Sequence, residues 1–173
     1  MPNTVLVIGP SGVGKSTAIN YCRDNNLLPG VEILDLDYLV HKNENMEARE
    51  VLRLRGEDGF LQISIAAITR YAGEREKQYL IAVGAGTLQS QNAIEFIKSY
   101  NSVLITANED ECYSRIVSAR GDKRIKTDYI NCEFSPLRKT IYGSANVSID
   151  TTNMEEINTA KLLATKCKTL LEQ

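Results

Sequence analysis

A glycine-rich segment near the amino terminus has the residue types and spacing of a phosphate cradle. Residues 5–8 are a continuous apolar run, which is typical of a strand buried on both faces of a parallel sheet. The next residues match G-x-x-x-x-G-K-[ST] in full, and a helical pattern begins at the lysine. In such a loop, backbone N–H groups converge on phosphate oxygens at a helix N-terminus. The residues concerned are Gly9, Pro10, Ser11, Gly12, Val13, Gly14, Lys15, Ser16 and Thr17.

Two side chains at the end of this loop suit phosphoryl chemistry. Lys15 can reach the β- and γ-phosphates, and the Ser16 hydroxyl can ligate Mg²⁺. The alternative is a chance glycine turn, but a full match between a strand and a helix argues strongly against it. The loop therefore predicts a binding site for a nucleoside triphosphate.

Two aspartates follow the second apolar run, residues 31–35. Asp35 and Asp37 lie two residues apart, at the edge of the predicted sheet where the phosphate loop lies. One carboxylate can hold Mg²⁺ through water, and the other can orient or deprotonate an acceptor hydroxyl. A D-x-D turn that caps the next helix is the simpler alternative. Beside a phosphate loop we favour the chemical role.

The elements that would position these residues alternate along the chain. Apolar runs predict five strands, at residues 4–8, 31–35, 79–83, 102–106 and 145–149, with helical patterns between them. This alternation predicts an α/β fold, a doubly wound five-stranded parallel sheet with helices on both faces and ligands at the carboxyl ends of the strands. For the last helix we predict a capping box of Thr152 and Glu155. Its buried face would carry Ile157, Ala160, Leu163, Cys167 and Leu170.

Length and composition predict one domain over residues 1–173. The chain is 43% hydrophobic and carries 20 basic and 22 acidic residues, so no global field favours nucleic acid. No apolar stretch is long enough to span a membrane, and we see no signal peptide. The four cysteines form no C-x-x-C pair, which favours reduced thiols. We expect a cytoplasmic monomer or weak homodimer without nucleic-acid or membrane partners.

Several short motifs resemble those of the shikimate kinase family, small P-loop kinases related to nucleoside monophosphate kinases. The motifs are GPSGVGKST, DLD, GEDGF at residues 56–60, GAG at residues 84–86 and RKTIYGSA at residues 138–145. The resemblance runs through nearly the whole chain. It implies that residues 36–72 hold the acceptor-binding insertion and that residues 120–136 form a small mobile lid.

The resemblance also implies roles for individual residues. Lys15 and Ser16 would serve ATP and Mg²⁺, Asp35 would hold magnesium waters, and Asp37 would contact the acceptor hydroxyl. The backbone of Gly84, Ala85 and Gly86 would approach the acceptor closely. Arg138 would pair with an acceptor carboxylate. A lid arginine, Arg124 or Arg120, would meet the transferring phosphate; we assign Arg124 as the catalytic residue and Arg120 as a contact for ATP.

Some positions depart from the family pattern. Leu61 stands where the family has an arginine that grips the substrate carboxylate, and Ser64 stands near the place of a glutamate. A leucine cannot make a charge-assisted fork to a carboxylate, so we expect shikimate to be a weak acceptor. Arginines 49, 53 and 55 lie on a polar helix, where solvent exposure is the expected role, although one of them could replace the missing arginine.

The sequence as a whole predicts an ATP- and Mg²⁺-dependent kinase that phosphorylates a hydroxyl of a small metabolite. The alternatives are a sugar-acid or polyol kinase, a nucleotide kinase, and a non-catalytic ATP-binding module. A nucleotide kinase would need a base pocket and more arginines for the acceptor phosphate. The presence of Lys15, Ser16, Asp35 and Asp37 together argues against a module without catalysis.

Overall fold

Five parallel strands form one sheet in the computed structural model, which describes residues 3–72, 74, 76–121 and 123–172. The strand order is β2-β3-β1-β4-β5, so β1 lies at the centre between β3 and β4. The strands are β1 (Thr4–Ile8), β2 (Val31–Asp35), β3 (Gln78–Ala82), β4 (Asn101–Thr106) and β5 (Val147–Asp150). The predicted five-stranded parallel sheet is confirmed, with β3 and β4 each beginning one residue early and β5 two residues late.

Helices cover both faces of this sheet, as predicted. They are α1 (Lys15–Asp24), α2 (Leu36–Glu44), α3 (Ala48–Tyr71), α4 (Ala93–Lys98), α5 (Glu109–Arg120), α6 (Lys126–Glu133), α7 (Pro136–Tyr142) and α8 (Glu156–Leu171). A 3₁₀ turn, Ala85–Leu88, follows β3. No helix among the described residues is long and apolar enough to cross a membrane.

The alternating side chains of the strands divide the core into two layers. Leu6 and Ile8 of β1 point into the layer formed with α2, α3, α4 and α7. Val5 and Val7 point to the opposite face, where they pack with α1, α5 and α8. Because β1 is buried on both faces, its apolar run is continuous. The phosphate loop therefore follows a fully buried strand at the centre of the sheet.

Two local predictions about the last helix are wrong. The N-cap of α8 is Glu155 and has no side-chain hydrogen bond. The Thr152 hydroxyl instead donates to Asp150 Oδ1 at 2.7 Å and accepts the N–H of Asn108 at 3.0 Å. Ile157, which we predicted on the buried face, is exposed, whereas the other four residues of that face are buried. Thr152 thus secures the loops at the carboxyl edge of the sheet rather than the helix.

Helix α3 contains a change of direction. Gly56 has φ 68° and ψ 178°, so it breaks the helical backbone in a conformation that a glycine adopts most easily. After this break, Phe60, Leu61 and Ser64 are buried against the sheet. The two halves of α3 therefore run in different directions, and each half contributes buried residues.

Candidate active site

The phosphate loop has the expected strand–loop–helix geometry. β1 ends at Ile8 and α1 begins at Lys15. Gly12 has φ 83°, and a Cβ there would overlap the carbonyl oxygen of Cys112, so both conformation and space require glycine. Lys15 Nζ donates to the carbonyl oxygens of Gly9 (2.7 Å) and Pro10 (3.0 Å). The lysine ammonium group therefore lies over its own loop.

One cavity of about 1010 Å³ joins this loop to the neighbouring strand ends. Most of the predicted site residues line it: Ser11, Gly12, Val13, Gly14, Lys15, Ser16, Thr17, Asp35, Asp37, Gly84, Ala85, Gly86, Arg124 and Arg138. Gly9 and Pro10 do not line the cavity and act through their carbonyl groups on Lys15. The side chain of Arg120 lies outside the described part of the structure. Residues that follow β1, β2 and β3, together with Arg124 before α6 and Arg138 on α7, thus meet in one place.

Asp35 caps helix α2, as the simpler interpretation of the D-x-D pair predicted. Its Oδ1 accepts the backbone N–H of Asp37 at 2.9 Å and of Tyr38 at 3.3 Å. Both bonds use Oδ1, so Oδ2 makes no hydrogen bond to a described residue. Asp35 lines the same cavity as Ser16. The capping role is therefore compatible with a second role towards a cation.

Asp37 lies directly against the backbone of Gly84. A Cβ built on Gly84 would lie 2.6 Å from Asp37 Oδ2 and closer still to Oδ1. The φ of Gly84 is −61°, which any residue can adopt, so space rather than backbone conformation requires glycine here. At Gly86 the nearest atom to a built Cβ is Leu52 Cδ2 at 3.4 Å, an ordinary contact. The first glycine of the GAG motif therefore makes room for the carboxylate of Asp37.

Arg138 is a buried guanidinium group on the wall of the cavity. The residue is 3% exposed, and its Nη1 donates to the Tyr142 hydroxyl at 3.4 Å. Among the described residues no carboxylate pairs with it. Burial raises the pKa of Tyr142 above its usual range, while the Arg138 charge opposes that rise. A buried cation without an anionic partner is costly, so this group favours an anionic ligand.

The position of the missing arginine is closed to the cavity. Leu61 is 1% exposed, packs in the core and does not line the cavity. Its neighbour Phe60 lines the cavity instead, as does the exposed Arg49 near the start of α3. Arg53 and Arg55 do not line this cavity. Of the three arginines that we predicted to be solvent-exposed, Arg49 is thus the one at the site.

The segment that we predicted to be a small mobile lid has an apolar anchor that we did not predict. Tyr129 on α6 is 0% exposed, and Ile130 and Phe134 are partly buried against the same core. The Tyr129 hydroxyl donates to the carbonyl oxygen of Ser11 in the phosphate loop. Glu133, which sequence reasoning also missed, is almost fully buried beside that loop. The Tyr-Ile pair followed by Phe134 was the available sequence signal.

Helix α5 also contacts the phosphate loop. Arg115 Nη1 donates to the carbonyl oxygen of Val13 at 3.3 Å, and the same guanidinium pairs with Glu111. Glu111 Oε2 in turn accepts the backbone N–H of Asn153 at 3.2 Å. We assigned no role to Arg115 from the sequence. The loop is therefore braced from α5 as well as from α6.

Comparison with known proteins identifies the family. A family model described as shikimate kinase matches residues 11–168. The chain belongs to the shikimate kinase family. A shikimate kinase from Clostridium botulinum (strain Loch Maree / Type A3) is 28% identical over 157 residues, which is 88% of this chain and 89% of that protein. The chain is accordingly an ATP-dependent kinase of a small metabolite with a hydroxyl group.

Solved structures of the shikimate kinase family have the same fold. The shikimate kinase from Bacteroides thetaiotaomicron superposes with a TM-score of 0.75 at 19% identity, with 98% of both chains covered. The shikimate kinase from Acinetobacter baumannii in complex with shikimate gives a TM-score of 0.73 at 19% identity, covering 98% of this chain and 93% of that one. At these identities the likeness concerns the fold alone.

Proposed function

We propose that this protein uses ATP and Mg²⁺ to phosphorylate a hydroxyl group of a small carboxylic acid of the shikimate class. One observation carries the proposal: the buried Arg138, without a carboxylate partner among the described residues, lines the same cavity as Asp37 and the phosphate loop. A carboxylate paired with Arg138 would bring a hydroxyl of the same small molecule towards Asp37. The buried positive charge of Arg138 would then be compensated by a charge-assisted pair with the carboxylate.

The phosphate loop and Lys15 would supply most of the charge stabilisation. Loose phosphoryl transfer depends mainly on positioning and on donors directed at the phosphoryl oxygens. The Lys15 ammonium lies within 3.0 Å of two loop carbonyls, so it would turn from them to the β- and γ-phosphates. Asp37 would orient the acceptor hydroxyl and accept its proton.

Magnesium fits the residues at the end of the phosphate loop. Mg²⁺ is usually held by one or two carboxylates together with substrate phosphates and water. Ser16 and, through water, Asp35 would hold the ion, which would neutralise charge on the phosphate oxygens. The described residues contain no cluster of three or more metal-binding side chains. In the proposed site, phosphate oxygens and water would supply the other ligands of the ion.

The lid would complete the site from α6 and the loop before it. Arg124 would meet the transferring phosphate, and Arg120 remains a predicted ATP contact. Closure on the nucleotide is tested by hydrogen exchange, which should slow over residues 123–136 when an ATP analogue and Mg²⁺ bind. We further expect a monomer or weak homodimer, which sedimentation velocity would measure.

The acceptor class is tested by a coupled ADP-release assay with four acceptors. They are shikimate, gluconate, the neutral polyol myo-inositol and a nucleoside monophosphate. We expect a hydroxy acid to be preferred over the neutral polyol by at least about tenfold in kcat/KM, the effect of one charge-assisted contact. Arg138→Ala should remove this preference and leave the KM for ATP near its original value. Equal use of the neutral polyol by the unmodified protein would contradict the proposal.

A matched pair of variants tests the second arginine at the cavity. Arg49→Ala should raise the KM for the acid, because Arg49 lines the cavity. Arg53→Ala is the control, since Arg53 is exposed on the same helix and does not line the cavity. Tight use of shikimate that is lost in Arg49→Ala would show that this residue replaces the arginine missing at Leu61. If the KM for shikimate stays low in Arg49→Ala, Arg138 remains the proposed ligand of the carboxylate.

A further inference from the structure

Glu133 is a buried acid that the proposed chemistry does not use. It is the last residue of α6 and is 3% exposed. The carbonyl end of a helix disfavours a negative charge, and burial disfavours it further. A carboxylate at this position therefore depends on strong partners nearby.

The partners of Glu133 belong to the two parts of the site that would hold phosphate. Its Oε2 accepts the backbone N–H of Ser11, in the phosphate loop, at 3.1 Å. Its Oε1 lies 3.6 Å from Nη1 of Arg124, the lid arginine. One side chain thus links the loop and the lid through an N–H donor and a cation.

Tyr129, one turn earlier on α6, contacts the same two residues. Its hydroxyl donates to the carbonyl oxygen of Ser11, and its ring lies 5.3 Å from the Arg124 guanidinium. Both backbone groups of Ser11 are therefore bound by α6. The guanidinium of Arg124 contacts a carboxylate and an aromatic ring, which together restrict its orientation.

We propose that Glu133 is a positioning residue for phosphoryl transfer, which holds Ser11 of the phosphate loop and the guanidinium of Arg124 in one arrangement. The inference rests on the proposed function, in which Arg124 meets the transferring phosphate. Gly12, the next residue after Ser11, already lies against Cys112 of α5. With Ser11 bound to α6, the first half of the phosphate loop is fixed between two helices, and the lid arginine is fixed relative to it.

The kinetic test is Glu133→Gln. The amide keeps the volume and can still accept the Ser11 N–H, but it has no charge for Arg124. We expect kcat to fall about tenfold while the KM for ATP changes less than about threefold, because Arg124 acts in the transition state and the loop still binds ATP. The double variant Glu133→Gln with Arg124→Ala should lose no more than Arg124→Ala alone, since the two residues act as one unit.

A matched control lies at the other end of α6. Lys126 Nζ forms an ion pair with Asp110 Oδ1 at 2.8 Å. Asp110→Asn removes this pair from the same helix without changing a group that contacts Ser11 or Arg124, and we expect it to leave kcat within about twofold. A fall in kcat that is as large in Asp110→Asn as in Glu133→Gln would overturn the positioning role. So would additive losses in the double variant.

Hydrogen exchange gives a second readout that does not need an acceptor. Relative to Asp110→Asn, Glu133→Gln should speed exchange over residues 124–134 by several-fold, because the neutral amide no longer pairs with Arg124. Exchange at the Ser11 amide should also speed up, because a neutral oxygen accepts that N–H less strongly than a carboxylate does. Unchanged exchange in Glu133→Gln would overturn the inference. If the unmodified protein phosphorylates no acceptor in the panel, the proposed function fails, while these exchange rates still decide whether Glu133 joins the lid to the loop.

Discussion

Asp35 combines an observed structural role with a proposed chemical one. Its Oδ1 caps α2 through two N–H groups, and the residue also lines the cavity beside Ser16. The capping and chemical interpretations of the D-x-D pair were alternatives at the level of sequence. In the structure the capping bonds orient the carboxylate and fix the start of α2, which carries Asp37. Local structure and candidate chemistry can therefore share one carboxylate, because capping occupies only Oδ1.

The two aspartates should be separable by isosteric amides. Asparagine caps helices about as well as aspartate, so Asp35→Asn should change the melting temperature little while raising the Mg²⁺ concentration needed for half-maximal rate. Asp37→Asn should instead lower kcat by roughly a hundredfold, since a general base contributes about that much, and leave ATP binding near normal. Rates at graded Mg²⁺ and calorimetric ATP binding measure these effects. Equal weakening of ATP binding in both variants would contradict the division of tasks.

The lack of space for a side chain at Gly84 leads to a second prediction about a single residue. Gly84→Ala puts a Cβ 2.6 Å from Asp37 Oδ2, so the carboxylate must move. We expect a fall in kcat of about tenfold or more with the fold retained, because a small displacement of a catalytic group is costly. Gly86→Ala is the contrast, since its Cβ would make an ordinary contact at 3.4 Å. A smaller loss in Gly84→Ala than in Gly86→Ala, measured by ADP release, would show that Asp37 is not the group that matters.

At the scale of secondary-structure elements, the sequence predicted the features that depend on local residue patterns. The strands were predictable because buried parallel strands are continuous apolar runs, and the phosphate loop because its spacing is fixed by its chemistry. The capping box at Thr152 was wrong because a contact with Asn108, distant in sequence, takes the hydroxyl. The bonds of Tyr129 and Glu133 to Ser11 join residues more than a hundred positions apart, so no local pattern contains them.

Leu61 shows the same limit on α3. The motif gave its position in the family pattern but not the direction of its side chain, which points into the core. Restoring the family residue with Leu61→Arg should therefore not improve the use of an acid. It should destabilise the fold by about 3 kcal/mol or more, because an unpaired charge would be buried. Thermal unfolding of Leu61→Arg, compared with the exposed neighbour Gln62→Arg, measures this cost. A stable variant with a lower KM for shikimate would contradict it.

At the scale of the whole molecule, the four cysteines differ in burial, so the reactivity of the exposed one can report whether the cavity is occupied. Cys22, Cys112 and Cys167 are buried in the layer with α1, α5 and α8, whereas Cys132 is exposed on α6 and lines the cavity. Burial raises the pKa of the Cys22 and Cys112 thiols to about 11, and that of Cys167 also rises. Because only the thiolate reacts, these three thiols stay protonated and inert between pH 7 and 9.

Alkylation of the native protein should therefore consume one thiol quickly and the other three only after unfolding. Cys132→Ser should abolish the fast phase, which assigns it. Together, an ATP analogue, Mg²⁺ and the preferred acid acceptor should slow the fast phase at least several-fold. Cys132 lines the cavity that these ligands would fill, so they would shield its thiol from the reagent. Rates of modification at pH 8, followed by mass spectrometry, measure both effects. Several fast thiols in the native state would contradict the described packing of the α1–α8 layer. A fast phase that ligands do not slow would show that they bind without filling the cavity as far as α6.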